Sequence, residues 1–175
     1  NSFTYKSLDY FRINECKTDE VIELINREPE NAKKLIFMEL LDNPEISVDC
    51  YNSKKGFVAI CRSKGKDRVQ RLFFNKELYD VCYKIWETYN FQFPFNVQFR
   101  VEHGKKVEDD KALKLLEINP RMSGGTYYST IFDMNIAELV FCDVMNMTEE
   151  YDISKFTNFD DKMVTYVEHA VKIED

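Results

Sequence analysis

The stretch from Phe95 to Arg121 constrains this chain most, because two strand patterns there each carry a polar face inside otherwise apolar sequence. In FNVQFRVE, Val97, Phe99 and Val101 alternate with Asn96, Gln98, Arg100 and Glu102. Successive side chains of a strand point to opposite faces, so the two sets separate. In LKLLEINPR, Leu116 and Ile118 take one face, Glu117 and Asn119 the other. A hairpin closing through HGKKVEDDK brings Gln98 beside Glu117 and Asn119. A carboxylate and two amide carbonyls then converge, an all-oxygen donor set of the kind hard cations such as Mg2+ prefer. Pro120 ends the second strand, and Arg121 follows with a planar fork suited to phosphate. Periodicity alone leaves a plainer alternative open, an amphipathic hairpin with a solvated polar face.

Around this hairpin the patterning supplies helices and further strands. Thr18 to Arg27 (TDEVIELINR) sets Val21, Ile22, Leu24 and Ile25 behind a capping Thr18 and an acidic first turn, which predicts a short amphipathic helix. Lys34 to Leu41, Ile46 to Tyr51, Gly56 to Arg62 and Arg68 to Phe74 are short, β-rich and bounded by turn residues, as strands are. Asn75 to Tyr89 spaces Leu78, Val81, Cys82, Ile85, Trp86 and Tyr89 helically. Phe95 to Glu102 and Ala112 to Asn119 are the hairpin strands. Ile136 to Met145 reads as a helix and Lys162 to Ile173 as a strand. The class expected is α+β, with mainly antiparallel sheets flanked by helices. The aromatic run of Tyr89, Phe91, Phe93 and Phe95 is expected in the core.

The chain has 175 residues, 44% hydrophobic and 14% aromatic, enough for a sizeable core and unlike a disordered sequence. A formal net charge of −7 argues against a nucleic-acid partner, whose phosphates need a basic face, but leaves room for a small basic site. Five widely spaced cysteines without a C-x-x-C pair read as reduced, mostly buried thiols, as expected of a cytoplasmic protein. No apolar run approaches the roughly 18 residues that span a bilayer, so no membrane partner is expected. The chain opens at Asn1, without an initiator Met and directly in a patterned segment, which reads as a piece of a longer protein.

NVQFRV followed by LLEINPRMSGG resembles the metal-binding end of ATP-grasp enzymes, the family of the carbamoyl-phosphate synthetase large chain, biotin carboxylase and D-alanine ligase. The resemblance implies an ATP-grasp fold, truncated at its amino terminus and lacking the upstream domain. It divides the chain into a nucleotide-clamping subdomain (about 1–72) and a metal-binding subdomain (about 73–175). It implies that Gln98, Glu117 and Asn119 hold two Mg2+ (or Mn2+) ions, and that Arg121 is the catalytic residue on the ATP phosphates. IFMELLDNPEISVDCY is similar to the family's hinge strand and the strand after it. By that likeness Met38, Glu39, Leu40 and Leu41 offer backbone groups to adenine, and Glu45 takes the ribose hydroxyls. NSFTYKS resembles the loop D-S-F-S-S-K-G that covers the phosphates, with Lys6 as its basic residue and Ser7 where the family has Gly.

The implied reaction is ATP-dependent activation of a small carboxylate as an acylphosphate, which an amine or similar nucleophile attacks. It needs no protein nucleophile, in keeping with the lack of a Ser-His or Cys-His arrangement. The partners implied are ATP and those two substrates, and a homodimer of the parent protein is compatible with the resemblance. The rival reading is a non-catalytic nucleotide-binding regulatory module, which Ser7 favours and the intact Gln98, Glu117, Asn119 and Arg121 oppose. A purely structural domain leaves the polar strand faces unexplained. Arg62 and Lys64 follow a strand expected to face the cleft; they either contact phosphate or an acylphosphate, or remain solvated. Ser123 and Thr126 lie in the Gly-rich MSGGTYYS loop, where the resemblance places acceptor contacts. His103, in a charged turn, and His169, in a terminal strand, read as structural or exposed.

Overall fold

Alternating apolar residues along β-branched and aromatic segments draw strands into a sheet, and the computed structural model of the chain shows one sheet of six. It describes residues 17–33, 39–64, 69–157 and 159–165, which fall into two units, 1–40 and 41–175.

In the first unit the described residues form α1 (Thr18–Arg27) and α2 (Pro29–Ala32). Thr18 is the first helical residue and not the cap that its side chain suggested. Glu20 Oε2 instead accepts the Lys17 N–H at 2.9 Å, the reciprocal half of a capping box. Pro29 opens α2, where a missing N–H costs nothing and φ is already helical. The strand expected over Lys34 to Leu41 falls largely outside the described residues. Glu39 and Leu40 are exposed and not in a strand.

The second unit contains β1 (Leu41–Ser53), β2 (Gly56–Lys64), β3 (Gln70–Phe73), α3 (Lys76–Tyr89), β4 (Phe95–Glu102), β5 (Leu113–Asn119), a 3-10 stretch over Thr126–Phe132, α4 (Ile136–Val144) and β6 (Lys162–Val164). The order across the sheet is β5-β4-β1-β2-β3-β6, and every pairing is antiparallel. β1 is longer than Ile46 to Tyr51 because Leu41 and Asp42 also pair with β4, beyond an irregularity between Asp42 and Ile46 that holds the cis Asn43–Pro44 bond. The remainder of the strand expected to reach Ile173 lies mostly outside the described residues.

Period-two alternation gives the sheet two different faces. Val48, Cys50, Phe57, Ala59, Cys61, Val97 and Phe99 form a core with Leu78 and Cys82 of α3. Tyr51, Val58, Ile60 and Leu72 pack on the other face with Ile136, Leu139 and Cys142 of α4 and with Tyr128. Both long helices are N-capped by asparagine: Asn75 Oδ1 accepts from the Leu78 N–H at 2.9 Å, and Asn135 Oδ1 from the Glu138 N–H at 3.2 Å. A buried carboxylate fixes α4 to the β1–β2 turn. Asp143 accepts from the Tyr51 hydroxyl at 2.9 Å, the Tyr151 hydroxyl at 2.5 Å and the Lys54 N–H at 3.0 Å. Burial first, and the Asp143 carboxylate second, push the Tyr51 and Tyr151 phenols above their ordinary range.

The aromatic run is only partly core. Phe95 is buried and Phe91 packs on it with ring centroids 4.7 Å apart. Phe93 is 70% exposed and Tyr89 62%. Tyr89 is the last residue of α3, and the left-handed Asn90 after it turns the chain. Cys50, Cys61, Cys82 and Cys142 are buried free thiols. Cys16 and His169 lie outside the described residues. Among the described residues no helix is long and apolar enough to cross a membrane.

Candidate functional site

The face of the sheet that carries α4 is apolar only at one end. At the other, two rows of polar residues run across the sheet, one over four strands and one over three. In the first row Arg62 of β2 lies opposite Ser47 of β1, Ser47 opposite Gln98 of β4, and Gln98 opposite Glu117 of β5. In the second, Asp49 lies opposite Asn96, and Asn96 opposite Asn119. Cross-strand partners share a face, so the register itself gathers these groups. The hairpin expected from sequence is present, and it sets Gln98 directly across from Glu117.

Glu117 is exposed and Asn119 half-buried at the edge of the sheet. Asn119 Nδ2 donates to Glu117 Oε1 at 2.7 Å, which turns the amide oxygen of Asn119 away from the carboxylate. Gln98 Nε2 reaches Asn96 Oδ1 at 3.5 Å, a long contact that leaves the Gln98 carbonyl free to ligate. Among the described residues no three His, Cys, Asp or Glu side chains group to hold a metal. The oxygen set is one carboxylate with two amides, which suits Mg2+ completing its shell with water and phosphate oxygens and not a closed all-protein cage. Exposure along the polar face of the hairpin is graded, from exposed Glu117 through half-buried Gln98 and Asn119 to buried Asn96. Asn96 has no exposed surface, and its Nδ2 donates to Ser47 Oγ at 2.8 Å, Asp49 Oδ1 at 2.9 Å and Val48 O at 3.1 Å. Sequence reading missed Ser47 and Asp49, although Glu45, Ser47 and Asp49 alternate with Ile46 and Val48 in EISVD.

Arg62 is not a solvated charge: its side chain is 13% exposed. Nη2 donates to Ser47 Oγ at 3.2 Å and to Ser123 Oγ at 3.0 Å, and Nη1 donates to Gln70 Oε1 at 3.3 Å. Asp49 Oδ2 lies 3.8 Å away. Lys64, two residues on, is exposed. Arg121 is exposed and donates to the Met122 carbonyl at 3.0 Å. Its own N–H donates to Asn119 O at 2.8 Å, closing the turn around Pro120. Thr126 is buried against Ser123, its hydroxyl donating to the Ser123 carbonyl at 3.0 Å.

Glu45 stands on the same face, and the fork of Arg100 holds one of its oxygens. Nη2 and Nε donate to Oε2 at 2.9 and 3.3 Å. Nothing in the sequence reading paired these two. Leu41 opens β1; Glu39 and Leu40 belong to the first unit. Met38, Lys6 and Ser7 lie outside the described residues. His103, exposed in the β4–β5 turn, makes a 3.1 Å contact with Asp42, away from this site. A cavity of about 820 Å³ lies on the opposite, α3 face, lined by Phe73, Phe99 and Leu113 among others, and contains none of the polar residues described above.

No curated protein matches the sequence. Among solved structures the chain is similar to the N5-carboxyaminoimidazole synthetase from Staphylococcus aureus complexed with ADP, at 13% identity and a TM-score of 0.50, over 81% of this chain and 37% of that one. An L-amino acid ligase from Bacillus licheniformis is similar at 14% identity and a TM-score of 0.41, over 59% of this chain and 30% of that one. The chain thus spans well under half the length of either enzyme. The first likeness extends to the fold. Residues 31–169 match the family described as "ATP-grasp in the biosynthetic pathway with Ter operon". That match takes in all six strands and the polar rows they align, and the chain belongs to the ATP-grasp family.

Proposed function

We propose that this chain carries the metal- and phosphate-binding face of an ATP- and Mg2+-dependent ligase, which activates a carboxylate as an acylphosphate for attack by an amine or similar nucleophile. The observation that carries the reading is the register pairing of Gln98 with Glu117, with Asn119 beside it on one face. The N-V-Q-F and L-L-E-I-N-P-R motifs favour the carbamoyl-phosphate-synthetase-like branch. The division into a nucleotide-clamping part before about residue 72 and a metal-binding part after it belongs to the same proposal.

In this reading Gln98, Glu117 and Asn119 supply oxygens to Mg2+, which when bound neutralises phosphate charge. Arg121, exposed at the end of β5, offers its guanidinium to the phosphate in transfer. Glu45 presents the oxygen not held by Arg100 to the ribose, and the backbone of Met38 to Leu41 reads adenine. Lys6 adds a cation over the phosphates. The substrate carboxylate oxygen attacks the γ-phosphorus and ADP leaves; the amine then attacks the acyl carbon and phosphate leaves. Positioning and charge stabilisation account for such chemistry without a protein nucleophile.

The test is calorimetric titration of ADP into the protein with and without Mg2+. Binding should depend on Mg2+, and Glu117→Gln, which keeps shape and removes the charge, should weaken it by at least about tenfold, or 1.4 kcal/mol. Nucleotide binding indifferent to Mg2+ and to Glu117 would overturn the metal assignment. Tight binding of ATP with no turnover of any carboxylate and amine pair would favour the regulatory module.

A further inference from the structure

Arg62 is buried on terms that stability alone does not explain. Its Nε is buried with no hydrogen-bond partner. Its nearest carboxylate, Asp49, stands at 3.8 Å and already accepts from Asn96. An unsatisfied buried donor and a loosely paired buried charge are both destabilising. What the guanidinium does hold is a loop. Nη2 donates to Ser123 Oγ at 3.0 Å, and Gly125 lies flat against the guanidinium plane. A Cβ on Gly125 would sit 2.3 Å from Arg62 Cζ and 2.6 Å from each Nη, so a side chain there would have to displace the guanidinium. The loop folds on the atom that Arg62 grips. The Gly125 N–H donates to Ser123 Oγ at 3.3 Å, and the Thr126 hydroxyl lies 3.2 Å from it. At its near end the loop is closed by the Arg121 N–H on Asn119 O.

We propose that Arg62 is a positioning residue: it fixes the loop from Arg121 to Thr126 to the sheet, and so aims Arg121 at the phosphates. The reading rests on the proposed ATP site. Arg62 touches no reacting group itself. Ser47, its row partner, and Gln70 of β3 fix the fork, and the fork fixes Ser123, two residues from Arg121. The role needs a planar, multidentate cation with a bare backbone stacked on it, which lysine does not reproduce. It also explains the second glycine of MSGGTYYS, since a side chain there would displace the guanidinium.

Two readouts on the full chain test this. Hydrogen exchange of the Gly124 to Thr126 amides reports the loop, and the ratio of ATP to ADP affinity, by calorimetry with Mg2+, reports Arg121. Arg62→Lys and Gly125→Ala should each speed loop exchange at least tenfold, with β4 and β5 amides unchanged. Both should lower ATP affinity severalfold more than ADP affinity. Ser123→Ala removes only the gripped hydroxyl, so it tests the role even where an Arg62 variant folds poorly; it should move both readouts the same way. Arg121→Ala should lose the same ATP preference, and adding Ser123→Ala to it should lose nothing more. Loop exchange unchanged in Ser123→Ala and Gly125→Ala, or ATP and ADP weakened equally, overturns the proposal. If the unaltered protein binds neither nucleotide, the ATP reading fails and the aiming role with it, while exchange still decides whether Arg62 anchors the loop.

Discussion

Single side chains on this sheet are held by neighbours that the motifs do not mention, and Glu45 shows the consequence. Arg100 grips only Oε2 of its carboxylate, leaving Oε1 to accept from a ligand. With side chains 35% and 36% exposed, the pair contributes at most about 1 kcal/mol to stability. Its effect is orientational: a fork on one oxygen fixes where the other points. If Glu45 reads the ribose, Arg100→Met should leave thermal stability nearly unchanged and weaken ATP severalfold. The same change should barely alter 2′-deoxy-ATP, which lacks one of the hydroxyls concerned. Calorimetry with the two nucleotides decides it. An ATP preference that survives Arg100→Met and Glu45→Ala alike would remove Glu45 from the ribose site.

At the scale of elements, helix ends behave as local chemistry dictates. Asn75 caps α3 through the Leu78 N–H, so Asn75→Ala should cost roughly 1 kcal/mol in denaturant unfolding, with no change in nucleotide affinity. A cost near zero would mean that another group takes over the cap. The strands and the face of Gln98, Glu117 and Asn119 were legible because period two assigns faces without tertiary knowledge. One break in that period is written in the sequence itself. Leu115 and Leu116 stand side by side, and the β4–β5 register slips there, Phe99 facing Leu115 while Gln98 faces Glu117. This bulge lets Leu113 and Ile118 pack with the α3 core while Lys114 and Glu117 lie opposite Arg100 and Gln98. The depth of Arg62 was not legible, since alternation gives a face and not what covers it. Nor was the role of Asp143, one of two carboxylates in α4, whose tyrosine partners lie 92 and 8 residues away in sequence. The helix start lies one position from where Thr18 as a cap would put it, because several polar residues open the helix and each can serve.

For the unit as a whole, the α3 core and the proposed metal oxygens lie on opposite faces of the sheet. The α3 face carries an apolar core in which Leu78 is 3% exposed and clusters with Val97, Phe99 and Phe57. The proposed metal oxygens stand on the reverse side of the same strands, with Glu117 at the open edge. Leu78→Ala leaves a cavity that close-packed neighbours fill only in part, so it should cost about 2–5 kcal/mol. Glu117→Gln alters an exposed side chain and should change stability by less than about 0.5 kcal/mol. Their effects on Mg2+-dependent ADP binding should be reversed, provided the titration is run well below the melting temperature of Leu78→Ala. That variant should bind ADP within about twofold of the unaltered protein, because β4 is held in register by β1 and β5 whatever packs beneath it. Glu117→Gln should lose most of the Mg2+-dependent affinity with its melting curve intact. The informative failure is a folded Leu78→Ala protein whose ADP affinity drops as far as that of Glu117→Gln. Gln98 lies between Val97 and Phe99 on one strand, and such a drop would mean that packing strain crosses the sheet and sets where its carbonyl points.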